Sequence, residues 1–115
     1  MTANSGVQLG YGGPGFINVP FDYQVPLTGF SITPVATATV LNPAGTLATG
    51  TITMPASPDD GTICAVSSTQ TITALTVSAN TGQSIVGAVT TLSAGTNMAY
   101  QYRAADKTWY VSPVK

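Results

Sequence analysis

Between Ser31 and Ala99 the chain contains no Phe, Tyr or Trp. All of its aromatic residues fall outside that interval, as Tyr11, Phe16, Phe21, Tyr23 and Phe30 before it and Tyr100, Tyr102, Trp109 and Tyr110 after it. Whatever core the middle builds is therefore aliphatic, and large side chains must reach it from one end or the other. The closing stretch, Met98 to Val111, has the right pattern to supply them. Met98, Tyr100 and Tyr102 alternate with Ala99, Gln101 and Arg103 as on the two faces of a strand. Ala104-Ala105-Asp106-Lys107 reads as a polar turn, and Thr108-Trp109-Tyr110-Val111 resumes the alternation on a second strand. Alternation sends Trp109 and Tyr110 to opposite faces, one to the core and the other to an interface or to solvent. The candidate core or interface residues are thus Tyr100, Tyr102, Trp109 and Tyr110.

The middle divides into short β-rich runs separated by turn chemistry. Thr37–Leu41 ends at Asn42-Pro43-Ala44-Gly45, and Leu47–Met54 stops at Pro55. Ser57-Pro58-Asp59-Asp60-Gly61 is a turn in which Pro presets φ and Gly accepts a positive one. Thr62–Ser67 and Thr71–Val77 come next, then the turn Asn80-Thr81-Gly82-Gln83 and two short runs, Ser84–Val86 and Thr90–Leu92. No window repeats with the period of a helix. The expected fold is all-β, a small antiparallel sandwich or barrel of jelly-roll type with no significant helix.

The segment that ends at Ser31 differs in character. Gly10-Tyr11-Gly12-Gly13-Pro14-Gly15-Phe16 favours no regular element, and Pro20 and Pro26 interrupt the stretch from Asn18 to Pro26. Five aromatics in such a segment suit an extended N-terminal arm whose Tyr11, Phe16, Phe21, Tyr23 and Phe30 anchor it to neighbouring subunits. The competing reading is an edge strand and loop folded back on its own domain. The expected organisation is an arm over residues 1–31 and one β-domain over residues 32–115.

Charge narrows the function. Only 6% of the 115 residues are Asp, Glu, Lys or Arg, with a net charge of -1, no Glu and no His; a soluble domain ordinarily carries about 25%. So few charges suit a surface packed against neighbours, and an isolated copy would have little protection against self-association. Three basic residues cannot form the stripe that nucleic acid requires or an attraction to anionic lipid. No apolar run reaches the length of a membrane span, and the N-terminus has no signal-peptide pattern. Cys64 has no partner for a disulfide within the chain and reads as a small buried hydrophobe.

Chemistry is sparse as well. Without His, the commonest general base and metal ligand is missing. Asp59 and Asp60 are adjacent in a turn and diverge. Arg103 is placed to pair with Asp106 across the closing turn, and the glycines near the N-terminus lack the strand, helix and Lys-Ser/Thr pair of a phosphate loop. No catalytic, metal or cofactor site is expected.

Several blocks together resemble a small β-module of tailed-bacteriophage virion proteins. They are Asn42–Thr49, Met54–Gly61, Ser68–Val77, Asn80–Gln83 and Tyr100–Tyr110, so the likeness covers about residues 35–111. The resemblance implies a trimeric, β-rich structural module without enzymatic activity, of the type found at tail-fibre and tail-spike C-termini and in stand-alone virion proteins. A short glycine- and proline-rich segment precedes it rather than a long fibre shaft. That points to a capsid decoration, or cement, protein on the outside of a phage head, made in the host cytoplasm, with the major capsid protein and its own copies as partners. The alternative is a receptor-binding tip in which Trp109, Tyr110 or Tyr102 stacks on host glycan.

Overall fold

A computed structural model describes residues 18–112. These residues form nine strands: β1 (Phe21–Gln24), β2 (Phe30–Ile32), β3 (Ala38–Leu41), β4 (Leu47–Thr53), β5 (Ile63–Ser68), β6 (Ile72–Ser78), β7 (Ser84–Ile85), β8 (Thr96–Arg103) and β9 (Thr108–Val111). No helix occurs among the described residues, so the fold is all-β. The expected strand positions hold closely. Two departures stand out: Thr90–Leu92 contributes only a single bridge from Leu92 to Ile72, and β1 and most of β2 are strands in the segment expected as an arm.

The pairing departs from expectation. The strands lie in a six-stranded sheet, ordered β1-β3-β5-β8-β9-β7, and a three-stranded sheet, ordered β2-β4-β6. Odd and even strands alternate between the sheets through β6. Each pass of the chain thus lays one strand in each sheet directly beside its predecessor, with β1–β3, β3–β5, β2–β4 and β4–β6 all parallel. This is a parallel coil of three turns. The antiparallel expectation is corrected: only β5–β8 and β8–β9 run antiparallel. A jelly roll, built from antiparallel Greek keys, does not describe this topology. The physical reason lies in the connections. Asn42–Thr46 and Thr69–Thr71 turn the chain across to the other sheet instead of reversing it within one.

Register makes the coils equivalent. Ala38 pairs with Ala65 and Leu47 with Ile72, so like positions recur from one coil to the next. β4 and β6 share an irregularity: Ala48 and Thr49, like Thr73 and Ala74, are consecutive exposed residues before the inward phase resumes at Gly50 and Leu75. Stacking the same break in neighbouring coils lets both strands bend together.

One core fills the space between the sheets. Leu41, Cys64, Val66 and Met98 enter from the six-stranded sheet and Leu47, Ile52, Ile72, Leu75 and Val77 from the other, with Met54 and Leu92 beside them. The three-stranded sheet ends at β6, while its partner continues through β8, β9 and β7. There the buried Tyr100, Tyr102 and Trp109 fill the additional width. Trp109 is fully buried; its ring centre lies 5.1 Å from that of Tyr102, and its Nε1–H donates to Gln83 Oε1 at 2.8 Å. Tyr100 donates its hydroxyl to the Gly87 carbonyl at 2.9 Å and accepts from the Val89 N–H.

Candidate functional site

Among the described residues β1 and β2 are terminal strands of their sheets, so each presents one backbone edge with no described strand beside it. Register places Phe21 and Tyr23 on the outer face, in line with Ala38 and Val40, and turns Asp22 and Gln24 inward beside Thr39 and Leu41. The inward pair is tied together, Gln24 Nε2 donating to Asp22 Oδ2 at 2.9 Å. Thr39 Oγ1, buried in the adjoining coil, finds no hydrogen-bond partner among the described residues. The inner lining at β1 is polar throughout, whereas the interior of the second and third coils is mainly aliphatic.

Around this end stand large apolar side chains in water. Phe21 is 62% exposed, Tyr23 54%, Leu27 78% and Val35 83%, with Val19 and Val25 also exposed. Single exposed hydrophobes are ordinary, whereas their concentration in the first coil and its connections is the pattern of an interaction surface. Asp22 is the only charged residue between positions 18 and 58. The usual guards of a sheet edge, Lys above all, are missing. Tyr23 is held in place through its hydroxyl, which accepts from Asn42 Nδ2 at 2.7 Å, while Asn42 Oδ1 accepts from Thr69 Oγ1. A hollow of about 380 Å³ continues the apolar surface along the corner where the chain crosses between sheets, lined by Pro20, Pro34, Val35, Pro55 and Pro58 among others.

The expected arm anchors are therefore distributed. Phe21 and Tyr23 project outward from β1. Phe30 turns inward from β2 and is half-buried over Gly50, where a methyl group would stand 2.1 Å from its ring. Tyr11 and Phe16 lie outside the described residues. The expected boundary between residues 31 and 32 falls inside β2, and both β1 and β2 pair with later strands of the domain. Sequence reasoning passed over Val19, Val25, Leu27 and Val35; their alternation with Pro20, Pro26 and Pro34 was the available signal.

At the closing hairpin the aromatics separate as alternation requires. Tyr100, Tyr102 and Trp109 are buried and Tyr110 is exposed. Tyr110 donates its hydroxyl to Asp106 Oδ2, and Arg103 Nη1 lies 3.1 Å from that same oxygen. The hydrogen bond from Tyr110, with Arg103 in support, lowers the Asp106 carboxyl, and the same hydrogen bond to Asp106 raises the Tyr110 hydroxyl against the opposing charge of Arg103. Asp60 reaches across from the turn before β5, its Oδ1 accepting from the Ala104 N–H at 2.8 Å. Cys64 is buried and burial pushes its thiol up to about 11, which keeps it protonated and unreactive at neutral pH. No group of three or more potential metal ligands occurs among the described residues. Comparison with protein-family models, curated proteins and solved structures finds no match to this chain.

Proposed function

We propose that this protein is a non-enzymatic structural component of a virion, a decoration protein that binds the outside of a phage head through its first coil. The observation that carries the reading is the pole formed by Val19, Phe21, Tyr23, Val25, Leu27 and Val35: large, exposed, nearly uncharged and flanked by two open sheet edges. Such a surface is costly to leave in water and gains by association, at about 25 cal/mol per Å² of apolar area covered. The resemblance of residues 35–111 to tailed-phage virion modules supplies the setting, with the major capsid protein and further copies of this chain, as a trimer, on the other side of the contact. A trimer about a threefold axis would present three such poles at once, so weak individual contacts would combine.

The function is thermodynamic. A protein that binds the assembled shell but not its separated subunits stabilises the shell by mass action, about 2.7 kcal/mol per site when present at one hundred times its dissociation constant. The test is the number of copies per particle, measured by quantitative mass spectrometry against the major capsid protein. Hundreds of copies are expected, near parity with the shell. A handful per particle would place the protein on a tail or vertex and refute the decoration role.

A further inference from the structure

We infer that the open edge of β1 takes an extended strand of another protein, and that this strand carries a Lys or Arg facing the inner side of the first coil. The inference rests on the docking role argued above and names the chemistry of what docks. The edge itself is short and defined. Ala38 and Asn42 donate their N–H groups to the Pro20 and Gln24 carbonyls, so it is the alternate residues of β1, Phe21 and Tyr23, whose backbone groups face away from β3. Pro20 and Pro26 bound this stretch without interrupting it.

The inner side of the edge selects the partner. Asp22 and Gln24 are half-buried there, and Gln24 Nε2 occupies Asp22 Oδ2, which leaves Oδ1 without a partner among the described residues. Beside Asp22 in register, Thr39 is 1% exposed, and its Oγ1 has no hydrogen-bond partner among the described residues. A buried hydroxyl left in that state costs stability and points to a group supplied from outside. A strand laid on β1 would cover both residues. Covering the carboxylate with an apolar side chain is strongly unfavourable, whereas a cation at the inward position compensates it. Thr39 stands two strand spacings, about 10 Å, from the added backbone, so only a long side chain extends past Asp22 toward it. Lys and Arg have that length and donate without accepting. Acidic and wholly apolar strands are thereby disfavoured.

No described strand of this chain has such a side chain to give. Of its three basic residues, Arg103 is paired with Asp106 at the closing hairpin, Lys107 lies in the turn after β8, and Lys115 is outside the described residues. Residues 1–17 contain no Lys or Arg. The occupant is therefore a strand of a different protein, and not the N-terminal segment or a described strand of a second copy.

The experiment selects short peptides from a random library on the immobilised full-length protein and measures the recovered peptides by fluorescence anisotropy. Enriched sequences are expected to alternate in the strand sense around one Lys or Arg. Changing that residue to Gln should weaken binding roughly tenfold, as should Asp22→Asn, which keeps the acceptor for Gln24; Asp60→Asn, in a distant turn, should change nothing. Thr39→Val should weaken binding and yet raise the melting temperature of the free protein, because an orphaned hydroxyl is removed. Enriched peptides without a basic residue, affinity unchanged by Asp22→Asn, or no enrichment at all would overturn the inference. So would a lowered melting temperature in Thr39→Val, which would place a partner for the hydroxyl within the free chain. The docking role is judged separately: it survives those results if Phe21→Ser with Tyr23→Ser abolishes binding to particles, and fails if that variant binds as the parent does.

Discussion

Replacing Trp109 tests the internal architecture most directly. The side chain is fully buried, packs on Tyr102 and closes the core where the three-stranded sheet has ended. Removing a buried Trp to Ala costs about 3–5 kcal/mol, because the cavity adds to the lost transfer energy. Its Nε1–H also ends at Gln83, whose side chain accepts from the Asn80 N–H at 3.1 Å and donates to the Pro55 carbonyl. Trp109 thus links β9 to the connections that leave β4 and β6. Since Gln83 Oε1 keeps the Asn80 N–H, losing the indole leaves no orphaned acceptor. Trp109→Phe should therefore cost only about 1–2.5 kcal/mol, made of one hydrogen bond and part of a ring.

A domain of this size has about 6–17 kcal/mol of stability in total, and each kcal/mol lost lowers its melting temperature by roughly 4 °C. Circular dichroism should then show Trp109→Phe melting roughly 4–10 °C below the parent and Trp109→Ala roughly 12–20 °C below it. A Trp109→Ala melt within about 3 °C of the parent would refute the placement of this ring at the centre of the closing core. Equal losses in the two variants would instead show that the bond to Gln83, and not ring volume, carries the effect.

Gly50→Ala should drive the Phe30 ring out of the first coil, since the new methyl would stand 2.1–2.8 Å from three ring atoms; a loss of about 1–3 kcal/mol is expected, with hydrogen exchange rising first in β1 and β2. Alkaline pH should destabilise the fold through Cys64: the unfolded thiol ionises near 9.0 and the buried one near 11. The contribution is therefore intact below pH 9 and lost between pH 9 and 11, about 3 kcal/mol by urea titration. Cys64→Ala should flatten that slope, and burial raises the Tyr100 hydroxyl in the same sense, extending the loss to higher pH. The double variant Phe21→Ser with Tyr23→Ser should melt within about 3–4 °C of the parent, both residues being exposed, yet fail to bind particles or its own copies in sedimentation. Retained assembly would exclude the first coil as the docking surface.

Strand positions were legible in this sequence because β-branched runs and turn residues mark them locally. Strand partners were not. Ala38-Thr-Val-Leu with Leu47–Thr53, and Ala65-Val-Ser-Ser with Ile72–Ser78, are two copies of one coil, set apart by unequal offsets at their first and second strands. The repeat is hard to see because the copies differ in length at the crossing and because residues of unlike size occupy equivalent places, with Gly50 stacking on Leu75. The spacing of consecutive strands fits a hairpin and a crossing between sheets equally well, and hairpins are the commoner use of such turns. Only the true hairpin, β8–β9, was identified correctly as a pair, since Tyr100, Tyr102 and Trp109 fix which face is inside. The surroundings of Tyr110 were half legible. Alternation placed the ring outside, but Asp60 comes from a turn more than forty residues away and is brought there by the β5–β8 pairing.

The absence of aromatics between Ser31 and Ala99 has its explanation in this geometry. Stacked parallel coils repeat one interior width, and aliphatic Leu, Ile, Val and Met fill most of it in both sheets, with Phe30 making up for Gly50 beside Leu75. Aromatic residues fit where the repetition stops. At one end the chain reverses into β8 and β9, the opposing sheet falls away, and Tyr100, Tyr102 and Trp109 occupy the wider space, ending the stack from within. At the other end β1 turns Asp22 and Gln24 inward and Phe21 and Tyr23 outward, and of the aromatics there only Phe30 of β2 packs against the core, so among the described residues the end strands have uncovered edges and exposed aromatics. The two ends are therefore unlike by construction, one sealed by its own aromatics and one with large apolar side chains exposed. An added partner strand at the first coil would continue the parallel register of β1 and β2 and cover the side chains beside it.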